Sequence, residues 1–441
     1  MRISSLRISA AAVALALFAP YAGAADLLSV YQEAKKYDAT FAAAQSALRA
    51  GQEKSVQGKA LWLPNVGFSA SAEHENGRSE PSGRTSSGST YGYQFKVTQP
   101  IYNAEVSVGS DQLSEQAKLA EVQFKGAEQD LILRVAQSYF DVLLAQDRLE
   151  LVKAQKDATA QQLAQAKKSF EVGVATITDT HEAQARFDAI VASEIAADND
   201  LTVKRNAFLQ LTGVPADGVS GVNSRMPTSN PTPDDVNHWI AIAENSSLQI
   251  ASKRGELAIS TAEIEKYRPS REPSLQAVAS YGENRFSGDL TATRGDSQKQ
   301  ANIGLQLSIP IFTGGSKSSK LREAIANRDR AQYELEATRR TVALTTKQAF
   351  LGVKAGAAQI KALEQALVST QSSLDSTKLG REVGVRTTLD VLNAQQQFFS
   401  TRKDLAESRY NYLLNRLKLS AATGNLSERT LEEINSNLIK N

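Results

Sequence analysis

The sequence predicts a mainly α-helical chain that carries four strands of a membrane β-barrel. Three observations lead there. Proline is absent from two stretches of more than 100 residues, between Pro100 and Pro215 and from Pro310 to the end. Each stretch follows segments in which apolar residues alternate with small or polar ones. A shift of about 210 residues lays the second half of the chain on the first.

At the N-terminus, Arg2 and Arg7 precede the apolar run Ala10 to Ala19, which ends at the small-residue site Ala22-Gly23-Ala24. Residues 1–24 are thus expected to be a secretory signal peptide, cleaved after Ala24. An uncleaved anchor is the alternative, but the run falls short of the ~18 apolar residues that a spanning helix needs. No later segment is long and apolar, so a mature chain that enters a membrane must do so as strands. With no cysteine, there is neither a disulfide framework nor a lipid-anchoring thiol. The chain has 50 basic and 48 acidic residues, and losing the two arginines of the signal leaves 48 against 48. A neutral chain is a poor nucleic-acid binder, because that affinity rests on neutralising phosphates.

The first pair of strand-like segments follows Pro64. Val66, Phe68, Ala70 and Ala72 alternate with Asn65, Gly67, Ser69 and Ser71. After a Ser/Gly-rich stretch, Arg78 to Thr90, expected to be a loop, Tyr91, Tyr93, Phe95, Val97 and Ile101 alternate again. In the second pair Ile303, Leu305, Leu307, Ile309 and Ile311 alternate with Asn302, Gly304, Gln306, Ser308 and Pro310. A period of two over about ten residues fits a strand with one lipid face and one lumen face, although a soluble sandwich strand has the same period.

The proline-free stretches are rich in Ala, Gln, Leu, Lys and Glu. Proline costs a helix interior about 3 kcal/mol, so its absence there predicts very long helices. Val342, Thr346, Ala349, Val353, Gly356, Ile360 and Leu363 form a heptad stripe. A helix from about Glu105 to Phe170 would be on the order of 100 Å long, at 1.5 Å per residue.

The repeat is densest where Glu171-Val-Gly-Val-Ala-Thr-Ile-Thr-Asp179 matches Glu382-Val-Gly-Val-Arg-Thr-Thr-Leu-Asp390, and it continues to Phe187 and Phe398 with nine identities in seventeen positions. Two repeats are expected, 25–213 and 235–424, each reading helix, strand, strand, long helix, tight turn, helix. An exposed linker, 214–234, joins them, and a tail, 425–441, follows. Four strands cannot close a barrel, and open edges in lipid leave backbone groups unpaired at several kcal/mol each. Three chains give twelve strands, the simplest symmetric closure with a pore.

Several segments resemble the TolC family of outer-membrane efflux and secretion channels. They are Gln99-Pro-Ile-Tyr102, Ile309-Pro-Ile-Phe-Thr-Gly-Gly315, Phe170-Glu-Val-Gly-Val174 with Thr176-Ile-Thr-Asp179, Val383-Gly-Val-Arg-Thr-Thr-Leu-Asp-Val-Leu392, and Ser408-Arg-Tyr-Asn-Tyr-Leu-Leu414. The resemblance covers essentially the whole mature chain. It implies a homotrimeric twelve-stranded barrel in outer-membrane lipid, continued by a coiled-coil periplasmic tunnel with its tail near the equator of the tunnel. It implies a passive exit duct for a tripartite efflux pump or a type I secretion system. The partners would be a periplasmic adaptor and an inner-membrane transporter of RND, ABC or MFS type. An adaptor or structural coiled coil without a barrel is the competing reading.

The same resemblance assigns the site. Asp390 becomes the ring carboxylate of the periplasmic constriction, and Asp179 and Arg386 a charged gate pair. The family pattern has a second ring aspartate where this chain has Asn393, and a gate tyrosine where it has Arg381. The repeat partner of Asn393 is Glu182, so that charge is a candidate for the ring, against the plainer reading of a solvated helix position. Gly173 and Gly384 let the chain reverse, and Val174 and Val385 beside them are expected to meet the adaptor. Helix N-capping is the plainer role for Asp179 and Asp390, and it is compatible with gating.

No enzyme chemistry is visible, and no cofactor or metal is expected. Ile311-Phe-Thr-Gly-Gly-Ser-Lys317-Ser318 lacks the Gly-Lys pair of a phosphate loop. His181-Glu182 is not completed by a second histidine, since position 185 is alanine.

Overall fold

The computed structural model describes residues 26–79, 83–223, 226–268, 273–288, 297–436 and 438. The expected signal peptide lies outside the described residues. The elements run α1 (Leu27–Tyr37), α2 (Ala39–Ala60), β1 (Asn65–Ser79), β2 (Arg84–Tyr102), α3 (Ala104–Glu171) and α4 (Ile177–Thr212). Then come α5 (Val236–Ser246), α6 (Leu248–Lys266), β3 (Ser274–Gly288), β4 (Ser297–Ser308), α7 (Ser316–Glu382), α8 (Thr388–Ala422) and α9 (Glu428–Asn435). The order helix, helix, strand, strand, long helix, helix thus occurs twice. Among the described residues no helix is long and apolar enough to cross a membrane.

One compact unit, 43–127 with 242–344, holds the sheet. It is antiparallel throughout, in the order β1-β2-β3-β4. The register puts the apolar alternation of all four strands on one face. Val66 pairs with Val97, Val97 with Ala279, and Ala279 with Ile303. One row on, Phe68, Phe95, Tyr281 and Ala301 line up in the same way. Much of this face is exposed among the described residues, with Val66 at 67% and Ile303 at 91%. The band ends at tyrosines and charges, where Tyr93 donates to Glu283 at 3.2 Å. The opposite face is polar, with Ser69, Gln94, Gly282 and Gln300 in one row. An exposed apolar band edged by aromatic residues, backed by a polar face, is what a strand in lipid requires.

Two strand boundaries differ from expectation. Of the expected loop Arg78 to Thr90, Arg78 and Ser79 belong to β1 and 84–90 to β2, where they pair, because serine, threonine and glycine can continue a ladder beyond the apolar band. In β4 the strand stops at Ser308, and Ile309 and Ile311 lie outside it. Pro310 lacks the N–H that a ladder needs. The same unit packs Ala243, Ile250, Leu335 and Val342 into a helical core.

The other unit comprises residues up to Ala42, 128–241 and 345–441. Its helices bury Tyr31, Phe41, Tyr139, Phe140, Phe208 and Tyr412 almost completely. The heptad stripe is realised in α7, where Thr346, Val353 and Ile360 are buried. At Gly356 a Cβ would stand 3.4 Å from Tyr412, so the small residue lets α8 approach. Each repeat opens with two helices, not one. Asp38 interrupts the first pair: it accepts from the Phe41 N–H at 3.0 Å and holds Arg134 at 2.7 Å. The segment 214–234 is also less exposed than expected. Ala216, Val219 and Met226 are buried, the Tyr139 hydroxyl donates to the Ser220 carbonyl at 2.8 Å, and the Tyr412 hydroxyl donates to the Ser229 carbonyl at 3.0 Å. Tyrosine hydroxyls thus satisfy carbonyls that burial would otherwise leave unpaired. In the tail, α9 packs on α1 and α8, burying Leu431 and Ile434.

Candidate functional site

The long helices end in two turns of the same design. After α3 the Gly173 N–H donates to the Phe170 carbonyl at 2.9 Å and the Val174 N–H to the Ser169 carbonyl at 2.9 Å. After α7 the Gly384 N–H donates to the Arg381 carbonyl at 3.1 Å and the Val385 N–H to the Gly380 carbonyl at 2.8 Å. Both patterns need a left-handed residue, and Gly173 and Gly384 supply it at φ 78° and 83°. The turns leave Val172, Val174, Val383 and Val385 exposed, from 66% to 77%. Four bare valines at two turns make an apolar contact surface.

The next helices start with matched capping boxes. Thr176 accepts from the Asp179 N–H at 3.2 Å, while Asp179 accepts from the Thr176 N–H at 3.0 Å and hydroxyl at 2.9 Å. Thr387 and Asp390 repeat the arrangement at 3.1, 2.9 and 2.9 Å. The Thr387 backbone N–H, then its hydroxyl and then the Arg386 guanidinium hold the Asp390 carboxyl below its ordinary value of 3.8. Asp390, expected at the constriction, and Asp179, expected at the gate, are thus helix caps built alike.

The other expected residues are distributed as follows. Arg386 folds over its own turn, with its Cγ 2.8 Å from where a Gly380 Cβ would stand. Within the protomer no ion pair joins Arg386 to Asp179 among the described residues. Glu182 is partly exposed in the first turns of α4. Arg381 reaches from α7 to α3, where it donates to Gln162 at 2.9 Å and also to Gln165. Asn393 accepts from Arg186 of α4 at 3.2 Å, and the same guanidinium donates to Gln396 at 2.8 Å.

Sequence reasoning missed Arg186, Gln162 and Gln165. Arg186 could have been found: it stands one heptad beyond Asp179, so it lies on the same helix face. The two glutamines carry no such signal. Behind these polar links, Leu163 and Ala166 of α3, Ala183 of α4 and Leu392 of α8 form a small buried cluster. The helices are thus held by a narrow apolar seam and by arginine–amide bonds.

Comparisons with known proteins agree with this geometry. A family profile described as outer membrane efflux protein matches residues 30–214 and 239–425. The outer membrane protein TolC of Vibrio cholerae is 32% identical, over 94% of this chain and 94% of its own. The alkaline protease secretion protein AprF of Pseudomonas aeruginosa is 29% identical, over 94% of this chain and 87% of its own. The crystal structure of the Campylobacter jejuni CmeC outer membrane channel superposes with a TM-score of 0.77 at 18% identity, covering 94% of this chain and 90% of that one.

Proposed function

The chain belongs to the outer membrane efflux protein family, and on that premise we propose how copies of it make a gated exit duct. The duct itself follows from membership: the protein is an outer-membrane channel serving efflux and type I secretion. The reading without a barrel falls with it. Three copies close twelve strands, β4 of one pairing with β1 of the next, and residues 1–24 are removed on export. Each chain contributes a sequence duplicated as 25–213 and 235–424, with 214–234 as the joint and 425–441 as a tail packed near the equator. The exposed apolar band on one sheet face carries this reading, because water gives it no reason to stay bare.

At the far end of the duct, Asp390 rings the constriction and draws cations. The gate contacts are Asp179, Arg386 and Arg381, while Asn393 and Glu182 tune the ring. The apolar turns at Val174 and Val385 receive the periplasmic adaptor, which joins the duct to an inner-membrane transporter. Planar-bilayer recording of the purified protein tests the ring. Multivalent cations should block current, and Asp390→Asn should remove most of that block. Persistent block in the variant places the constriction elsewhere, with Glu182 the first residue to examine.

A further inference from the structure

Further along the same helices, α3, α4 and α8 line an open-sided cavity of about 340 Å³ that the duct reading leaves unused. Small-ligand sites begin near ~300 Å³ and combine apolar walls with a few placed polar groups. Here Phe399 and Ile190 supply the apolar wall. The charged side chains on the lining are Arg148, Arg186 and Lys403, all cations, with no carboxylate among the described lining residues. Lys403 shares its charge with Asp404 at 3.4 Å. Arg186 is held only by neutral amides, Asn393 and Gln396. Arg148 has no hydrogen-bond or ion-pair partner among the described residues. The floor adds a second, independent sign. Gln395 is 4% exposed, and its Oε1 has no hydrogen-bond partner among the described residues. A buried acceptor left unpaired is costly, so a donor is wanted at that point.

We propose that this cavity binds a small anionic amphiphile. Its sulfonate, sulfate or carboxylate head lies against Arg148 and Arg186, its apolar body packs on Phe399 and Ile190, and a hydroxyl on it donates to Gln395. The charge comes from the head, because planar guanidinium groups without carboxylates match an oxyanion. Free phosphate would leave the cavity wall at Phe399 and Ile190 uncovered, so the wall calls for an apolar body behind the head. The site differs in place and sign from a cation-attracting ring at Asp390.

Equilibrium dialysis of the full-length protein in a non-ionic detergent tests the proposal, with 6-hydroxynaphthalene-2-sulfonate as probe and uncharged 2-naphthol as comparator. Saturable uptake of the sulfonate at one per chain is expected, with none of the naphthol. Arg148→Gln should weaken it about tenfold, as the loss of one charge-assisted hydrogen bond does. Ala189→Trp, on the exposed rim, should abolish it without touching a cation, and decides the matter should Arg148→Gln fold poorly. Non-saturable uptake, equal uptake of naphthol, or wild-type affinity in Ala189→Trp overturns the site. Conductance of the same preparations reports on the duct alone, so the two readings fail separately.

Discussion

Asp390 is held at once by a threonine N–H, by a hydroxyl and by a neighbouring guanidinium. Its folded value lies below 3.8, so the stabilisation from this cap is present above 3.8 and is lost as pH falls through the folded value. Block of current by multivalent cations should therefore persist as pH drops past 3.8 and fade only below it, measured by titrating block in planar bilayers. Block that fades at or above 3.8 would detach the ring from the cap. Arg386 has no basic counterpart in the first repeat, where Ala175 stands. In the proposed gate this cation faces the Asp179 carboxylate of the other hairpin, and Arg386→Ser or Asp179→Ala should each raise single-channel conductance. The double variant should add little to either, since both remove the same contact. Unchanged conductance in both single variants leaves the aspartates as caps alone.

Among the elements, the hairpin turns depend on one conformation each. Gly384 sits at φ 83°, a region that costs any L-residue about 1–2 kcal/mol. Gly384→Val should thus loosen the turn while leaving the sheet intact, so that hydrogen exchange rises at Gly380 to Asp390 and stays unchanged in β1 to β4. Much of this level was legible from residues alone. The long helix α3 came within a residue of its expected bounds, because the absence of proline and the presence of helix formers leave no alternative. Strands β1, β2 and β4 were legible from their period of two, whereas β3 was expected only as the partner of β4. Less legible were the breaks at Asp38 and Ser247, since polar caps inside a helical pattern look like ordinary surface residues. The arginine–amide links were missed because glutamines on a long helix carry no periodic signal. Residues 84–90 were misread as a loop because their polarity hid a ladder.

For the whole molecule, the sheet is the part that is incomplete by itself. Among the described residues β1 and β4 each pair on one side only. Their unpaired N–H and C=O groups would lie in lipid at several kcal/mol each, which a ring of chains removes. Light scattering coupled to size exclusion in detergent should give a mass of three chains, and a monomer that retains full strand content would refute closure. The helical parts need no such help, because their backbone bonds are internal.

The two open sheet edges differ among the described residues, one being β1 and the other β4, so in the proposed trimer the joint between copies runs head to tail. Every joint is then equivalent, and a single faulty edge interrupts the circle wherever it falls. This makes inheritance of a defect asymmetric. A chain with Val66→Pro in β1 should poison its normal siblings when both are made together, whereas a chain that fails to be exported should be harmless. With equal expression and random mixing in a ring of three, about one assembly in eight escapes the altered copy. Drug susceptibility of such a merodiploid strain, against one carrying an empty second locus, reads that fraction directly, and a strain as resistant as its parent would mean that copies do not share their edges.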